Sequence, residues 1–195
     1  MFAVKLTLFA LGWIGIVYLF NCWLAKLWIK LKLKDVLLYV TTMGALGILG
    51  EIIFDTSYNF IFGHPLWQYR LMPIHSAYTS SFSLYLWGTV GFYLYLLHGT
   101  LRKRGASSPY RLATIFCIEA ITLEVLVNVT YLAFFGNYIF YYLPGDLWHI
   151  TSLQTLPLYL VAGFISVIIL EFAKRRPMRA TFGSTLLAIS LAAIR

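Results

Sequence analysis

A chain of 195 residues in which 61% are hydrophobic and only 11% charged is not composed like a soluble domain, where about a quarter of residues carry charge. The formal net charge of +8 comes in short clusters between apolar runs, with no soluble domain to display it, so a nucleic-acid partner is excluded.

Apolar runs cover residues 6–25, 36–62, 72–98, 112–135, 147–172 and 180–194. A membrane crossing needs roughly 20 apolar residues, so the pattern predicts an all-α integral membrane protein with about six transmembrane helices in a single membrane domain, residues 1–195. The first run follows Lys5 and ends in a basic, aromatic flank with no small-x-small cleavage site, which makes it a retained helix rather than a signal peptide. The second carries Gly44, Gly47 and Gly50, which permit close helix approach, just before Glu51. The third opens at Pro73 and His75, the fourth holds Cys117, Glu119 and Glu124, and the fifth opens near Trp148 and His149. The sixth is short, rising only about 22 Å as a helix, and is either a tilted span or an interfacial end. Cys22 and Cys117 both fall inside spans, so no disulfide framework is expected.

Twelve of the fifteen basic residues lie in the first, third and fifth breaks. The positive-inside rule makes that side cytoplasmic and turns both termini outward. A bacterial inner membrane is the expected location.

Residues 51–69 align with residues 124–142 at an offset of 73. Glu51 meets Glu124, Asp55 meets Asn128, Tyr58 meets Tyr131 and Tyr69 meets Tyr142. With one extra residue allowed in the second copy, the offset becomes 74, His75 meets His149, and Leu84-Tyr85-Leu86 meets Leu158-Tyr159-Leu160. Matches of Leu and Tyr are cheap in so apolar a chain, whereas Glu and His are rare in it. The alignment predicts a parallel two-helix repeat, with units at about 36–98 and 109–172.

Glu51 is roughly 16 Å from the end of its span at helical rise, and Glu124 is at similar depth. An ionisable group there costs at least about 2.5 kcal/mol, and such groups are functional candidates by default. Asp55 and Asn128 sit one turn outward on the same faces, with Tyr58 and Tyr131 beyond them. A carboxyl in a dry bundle is cheapest in its neutral form, which suits a proton donor, and Asp55 beside Glu51 suits a pair sharing one proton. His75 and His149 are expected at the outer mouth. Packing by a protonated Glu bonded across helices remains the alternative for both acids. The catalytic candidates are Glu51, Asp55, Glu124, His75 and His149. The candidate binding residues are Tyr58, Trp67, Tyr69, Tyr85, Asn128, Tyr131, Trp148 and Tyr159. With no Glu-x-x-His or His-x-x-x-His pair on a helix, neither a metal nor another cofactor is expected.

Gly50-Glu51, Trp67-Gln68-Tyr69, Pro73-Ile74 and Leu123-Glu124 followed by an aromatic loop, within residues 47–88 and 120–163, resemble the CmpB-like permease family and its animal transmembrane relatives. The acid of one helix, the Trp-x-Tyr loop and the following proline also resemble the small helical lycopene cyclase domain, where a P-x-E-E helix comes next. Here His75-Ser76 stands in place of that acidic pair. The first resemblance implies permeation, the second carotenoid cyclisation.

The expected function is a membrane-embedded enzyme acting on a lipid or isoprenoid-like substrate by acid–base chemistry, cyclase- or isomerase-like, in a cavity between the repeats. A proton-coupled transporter or permease component and a purely structural subunit are the alternatives. The expected partners are the lipid bilayer and an apolar small molecule, with a second copy of the chain left open.

Overall fold

The computed structural model describes residues 2–103 and 108–193. Arg104 of the third break and Ile194 of the sixth run lie outside them. The described residues form six helices: α1 (Phe2–Ala25), α2 (Leu33–Phe62), α3 (Ser83–Lys103), α4 (Pro109–Phe135), α5 (Thr155–Ala173) and α6 (Pro177–Ala193). Four short strands accompany them, β1 (Trp67–Tyr69), β2 (Pro73–Ile74), β3 (Thr79–Ser80) and β4 (Phe140–Tyr142). Helices α1, α2, α4 and α5 are long and apolar enough to cross a membrane. Large apolar side chains such as Leu8, Phe60, Ile118 and Phe182 are exposed on the helices, a surface compatible with lipid contact.

Helix ends follow local chemistry. Gly63 and Gly136 stop α2 and α4 in the left-handed conformation at φ 77° and 67°, each sending its N–H to a carbonyl four residues back. Proline at the first turn starts α4 and opens α6, where its missing N–H costs no helical bond.

The third and fifth spans begin later than their apolar runs suggest. Residues 72–82 and 147–154 are not transmembrane helix but turns and short strands. Met72, His75, Ser76 and Ala77 hold positive φ between 45° and 67°, and Trp148 and His149 lie at 52° and 61°. Left-handed backbone costs a non-glycine residue about 1–2 kcal/mol and cannot continue a right-handed helix.

The connections α2–α3 and α4–α5 meet at one end of the bundle, where β1 pairs antiparallel with β4 (Trp67↔Tyr142, Gln68↔Tyr141, Tyr69↔Phe140). The flanking bonds, Arg70 N–H to the Ile139 carbonyl (2.8 Å) and Leu143 N–H to the Leu66 carbonyl (3.0 Å), exchange with one another at an offset of 73. A local two-fold axis therefore passes between Gln68 and Tyr141. The opposite, basic end carries Lys26, Lys30 and Lys32 before α2 and Lys174, Arg175 and Arg176 before α6.

Within each half the two helices approach closely at a glycine. A Cβ on Gly91 would lie 2.5 Å from the Tyr39 carbonyl, and one on Gly163 would lie 2.3 Å from Cys117 Sγ. These two glycines are 72 residues apart. Helix α1 covers α3 and α4 through Tyr85 Oη–H to the Ala10 carbonyl (2.5 Å), Trp13 Nε1–H to Thr130 Oγ1 (3.2 Å) and the Phe9–Tyr131 ring contact. Helix α6 packs along α2.

Candidate functional site

Two loops are tied down first. Asp55, fully buried on α2, accepts the Leu66 N–H at 2.6 Å and the Trp67 N–H at 3.4 Å. Asn128, fully buried on α4, accepts the Ile139 N–H at 3.0 Å and donates to the carbonyls of Phe140 (2.9 Å) and Ile150 (3.1 Å). Each side chain satisfies backbone groups at the entry to a ribbon strand, where an unpaired buried N–H would cost about 1–3 kcal/mol. Asp55 is therefore a loop latch, and the expected proton-sharing pair with Glu51 is not formed: the carboxyls are one turn apart, but Asp55 Oδ1 is aimed at the loop. Asn128 likewise holds a loop and does not line the cavity.

The ribbon alternates. Gln68 and Tyr141 point one way, and Trp67, Tyr69, Phe140 and Tyr142 point the other, buried over the space between the helices. Beneath this roof Glu51 Oε1 accepts the Tyr69 hydroxyl and the Trp87 indole N–H (2.8 Å), and its Oε2 accepts the Thr79 hydroxyl. In the other half Glu124 Oε1 accepts the hydroxyls of Tyr142 (3.0 Å) and Thr151 (2.9 Å), and its Oε2 accepts that of Tyr159.

The partners correspond as Tyr69 with Tyr142, Thr79 with Thr151, and Trp87 with Tyr159. The offset is 73 up to the ribbon and 72 after it, so the extra residue lies in the first half, between Ile74 and Thr79, and not in the second. The repeated Leu-Tyr-Leu suggested otherwise. Its two copies are not equivalent: Tyr85 bonds to α1, whereas Tyr159 bonds to Glu124. His75 and His149 lose their expected equivalence for the same reason.

Both carboxyls line one cavity of about 140 Å³. Besides the ribbon roof, its walls include Trp13 and Val17 of α1, Leu46, Gly50 and Phe54 of α2, Tyr85 and Leu86 of α3, Leu123 and Val127 of α4, and Leu158 and Ala162 of α5. Among the described residues, no charged side chain apart from the two acids faces it.

The acids differ in one respect. Indole N–H is donor-only, so Trp87 keeps Glu51 Oε1 as an acceptor and leaves Oε2, beside the Thr79 hydroxyl, as the oxygen able to carry a proton. All three partners of Glu124 are hydroxyls, which can turn from donor to acceptor when the carboxyl carries a proton. No family model matches the chain, and no curated protein or solved structure is significantly similar to it.

Of the remaining expected residues, Trp67, Tyr69, Tyr85 and Tyr159 line the cavity. His75 does not: its Nε2 lies 2.6 Å from the Leu191 carbonyl on α6. His149 stacks on Tyr141 at 4.1 Å and bonds the Tyr142 carbonyl (2.6 Å), on the outer side of the roof. Tyr58 donates to Gln154, Tyr131 stacks on Phe135 at 4.4 Å, and Trp148 is 80% exposed; none of the three faces the cavity. Among the described residues no three His, Cys, Asp or Glu gather to hold a metal. Thr79, Trp87, Tyr142 and Thr151 were missed as site residues; Tyr142 was already paired with Tyr69, and an alignment allowing a shorter second copy would have found the other three.

Proposed function

We propose that the chamber binds an apolar, isoprenoid-like molecule and moves a proton on it. The observation that carries this reading is two carboxyls in one aromatic-walled cavity, one tied to an obligate donor and one surrounded by reversible hydroxyls. Glu124, which can carry a proton on either oxygen, is the acid. Glu51, whose Oε1 Trp87 keeps as an acceptor, is the base that takes a proton back on Oε2 and returns it to Glu124 before the next turnover. This reverses the expectation that Glu51 donates.

An alkene protonated at one carbon becomes a cation; loss of a proton from a neighbouring carbon restores a double bond, with or without ring closure in between. No oxidant is needed. Tyr69, Phe140 and Trp67 line the chamber, and aromatic rings stabilise a passing cation. The roof closes the ribbon end over buried Leu66 and Ile139, which favours a ligand arriving from within the bilayer over one crossing from water to water. That favours the enzyme over the transporter.

The same reading takes the chain across the membrane six times in a bacterial inner membrane, with the basic end cytoplasmic. Helix α6 supports the sixth crossing: its 17 residues rise about 26 Å, from the basic connection to the ribbon end, where His75 meets Leu191.

The test is turnover of extracted isoprenoid lipids by purified protein in detergent. Glu124→Gln and Glu51→Gln should each lower the rate by about a hundredfold or more while leaving melting temperature close to that of the parent. Unchanged rates in both variants would leave the glutamates a packing role only.

A further inference from the structure

A second depression lies at the basic end between α2, α5 and α6. Thr42 and Ser184 meet at 3.4 Å on its wall, Arg175 and Arg176 line it, and the Arg175 guanidinium lies over the Phe172 ring at 4.8 Å. Among the described residues neither arginine forms an ion pair, and Glu171 is engaged by Lys174 at 2.5 Å.

The depression and the glutamate chamber share two helix faces. On α5 the chamber residues Leu158, Ala162 and Ser166 continue at helical spacing into Ile169 and Ala173 of the depression. On α2, Phe54, Gly50 and Leu46 of the chamber continue in steps of four to Thr42. A Cβ on Gly50 would meet nothing within 4 Å, so the chamber has room along this face beside Glu51.

We propose that one groove between α2 and α5 binds a single amphiphile bearing a phosphate ester. Its head rests on Arg175 and Arg176 and its unsaturated tail reaches Glu51 and Glu124. This inference rests on the acid–base reading of the chamber and adds a substrate class to it. Basic pockets between membrane helices suit anionic head groups, and guanidinium suits phosphate in particular. Among the described residues the chamber has two acids and no cation, which opposes a phosphate there, and the depression has two cations and no acid. Thr42 and Glu51 are about 13 Å apart along α2, which places the reacting double bond well down the tail from the phosphate.

Farnesyl phosphate, farnesol and inorganic phosphate are suitable probes with purified full-length protein. Binding is read from the fluorescence of Trp13, Trp67 and Trp87, which line the chamber. Farnesyl phosphate is expected to bind about tenfold or more tighter than farnesol, and the double variant R175Q/R176Q should remove that advantage. R179Q, which deletes one charge from a residue that does not line the depression, should keep it. Inorganic phosphate at equal concentration should displace nothing. Equal affinity for farnesol and farnesyl phosphate, or an advantage that survives R175Q/R176Q in monodisperse protein, overturns the proposal. Displacement by inorganic phosphate at equal concentration also overturns it, in favour of a free-anion site. Binding without any turnover would sink the acid–base reading alone, whereas turnover of a neutral isoprenoid with no preference for the phosphate would sink this one alone.

Discussion

At the scale of single residues, the Trp87 indole is the informative neighbour. Changing it to tyrosine, the residue that stands in its place beside Glu124, replaces an obligate donor with a reversible one. In W87Y the two acids become chemically alike, so a division of labour between them should weaken: turnover should fall by about tenfold or more with little loss of melting temperature. Gly47 guards the same contact, since a Cβ there would lie 1.9 Å from the Trp87 ring, and G47A should reproduce the kinetic defect by displacing the indole. Asp55 offers the opposite result. Asparagine already performs the latch role at position 128, so D55N should fold and turn over nearly as the parent does. D55A leaves two buried amides unmet and should cost about 1–3 kcal/mol, read as a drop in thermal stability in detergent. A dead but stable D55N would restore Asp55 to the chemistry.

At the scale of elements, packing within each half depends on Gly91 and Gly163. G91A sets a methyl against the Tyr39 carbonyl and the Met43 Cβ and should destabilise by about 1–3 kcal/mol. G12A, with nothing within 4 Å, should be neutral or slightly stabilising, because alanine is the better helix former; thermal unfolding in detergent separates the two. Helices were legible here because a long apolar run has few other solutions in a bilayer, and α1, α2 and α4 lie close to where the runs place them. The ribbon was not legible. Residues 72–82 hold five hydrophobic residues in eleven, too few for a span taken alone, but the left-handed turns that break them fall on Met72, His75, Ser76 and Ala77, none of them a glycine or asparagine. Those turns are enforced from outside, by the Ser80 hydroxyl on the Leu71 carbonyl (2.5 Å) and by Thr79 on Glu51. The two acids could be read because carboxyls are rare in an apolar chain. Their hydroxyl partners could not, because Thr and Tyr are common and the one-residue difference between halves was assigned the wrong sign. Asp146 shows how local such ties are: although desolvation opposes it, the Leu153 amide and Ser152 hydroxyl hold its carboxyl below the usual range. That tie contributes above about pH 3.8 and is lost as pH falls further.

At the scale of the whole molecule, charge and polarity are sorted along one axis: basic connections at one end, an aromatic ribbon roof at the other, and two acids between. The clustering of basic residues in alternate breaks made this sorting visible in the sequence. The contact of α6 with the roof through His75 was not visible, since a lone histidine gives no hint that its partner is a backbone carbonyl over a hundred residues away. Because the roof is one two-stranded ribbon with a strand from each half, neither half can close the chamber alone. A chain severed between the halves, with both pieces co-expressed, should reassemble and recover turnover, and either piece alone should not.

The Gln68–Tyr141 pair on the ribbon axis has a consequence of its own. Two unlike residues meet on that axis, and the same inequality recurs beneath the roof, where Trp87 and Tyr159 stand 72 residues apart at corresponding positions and give the two glutamates different donors.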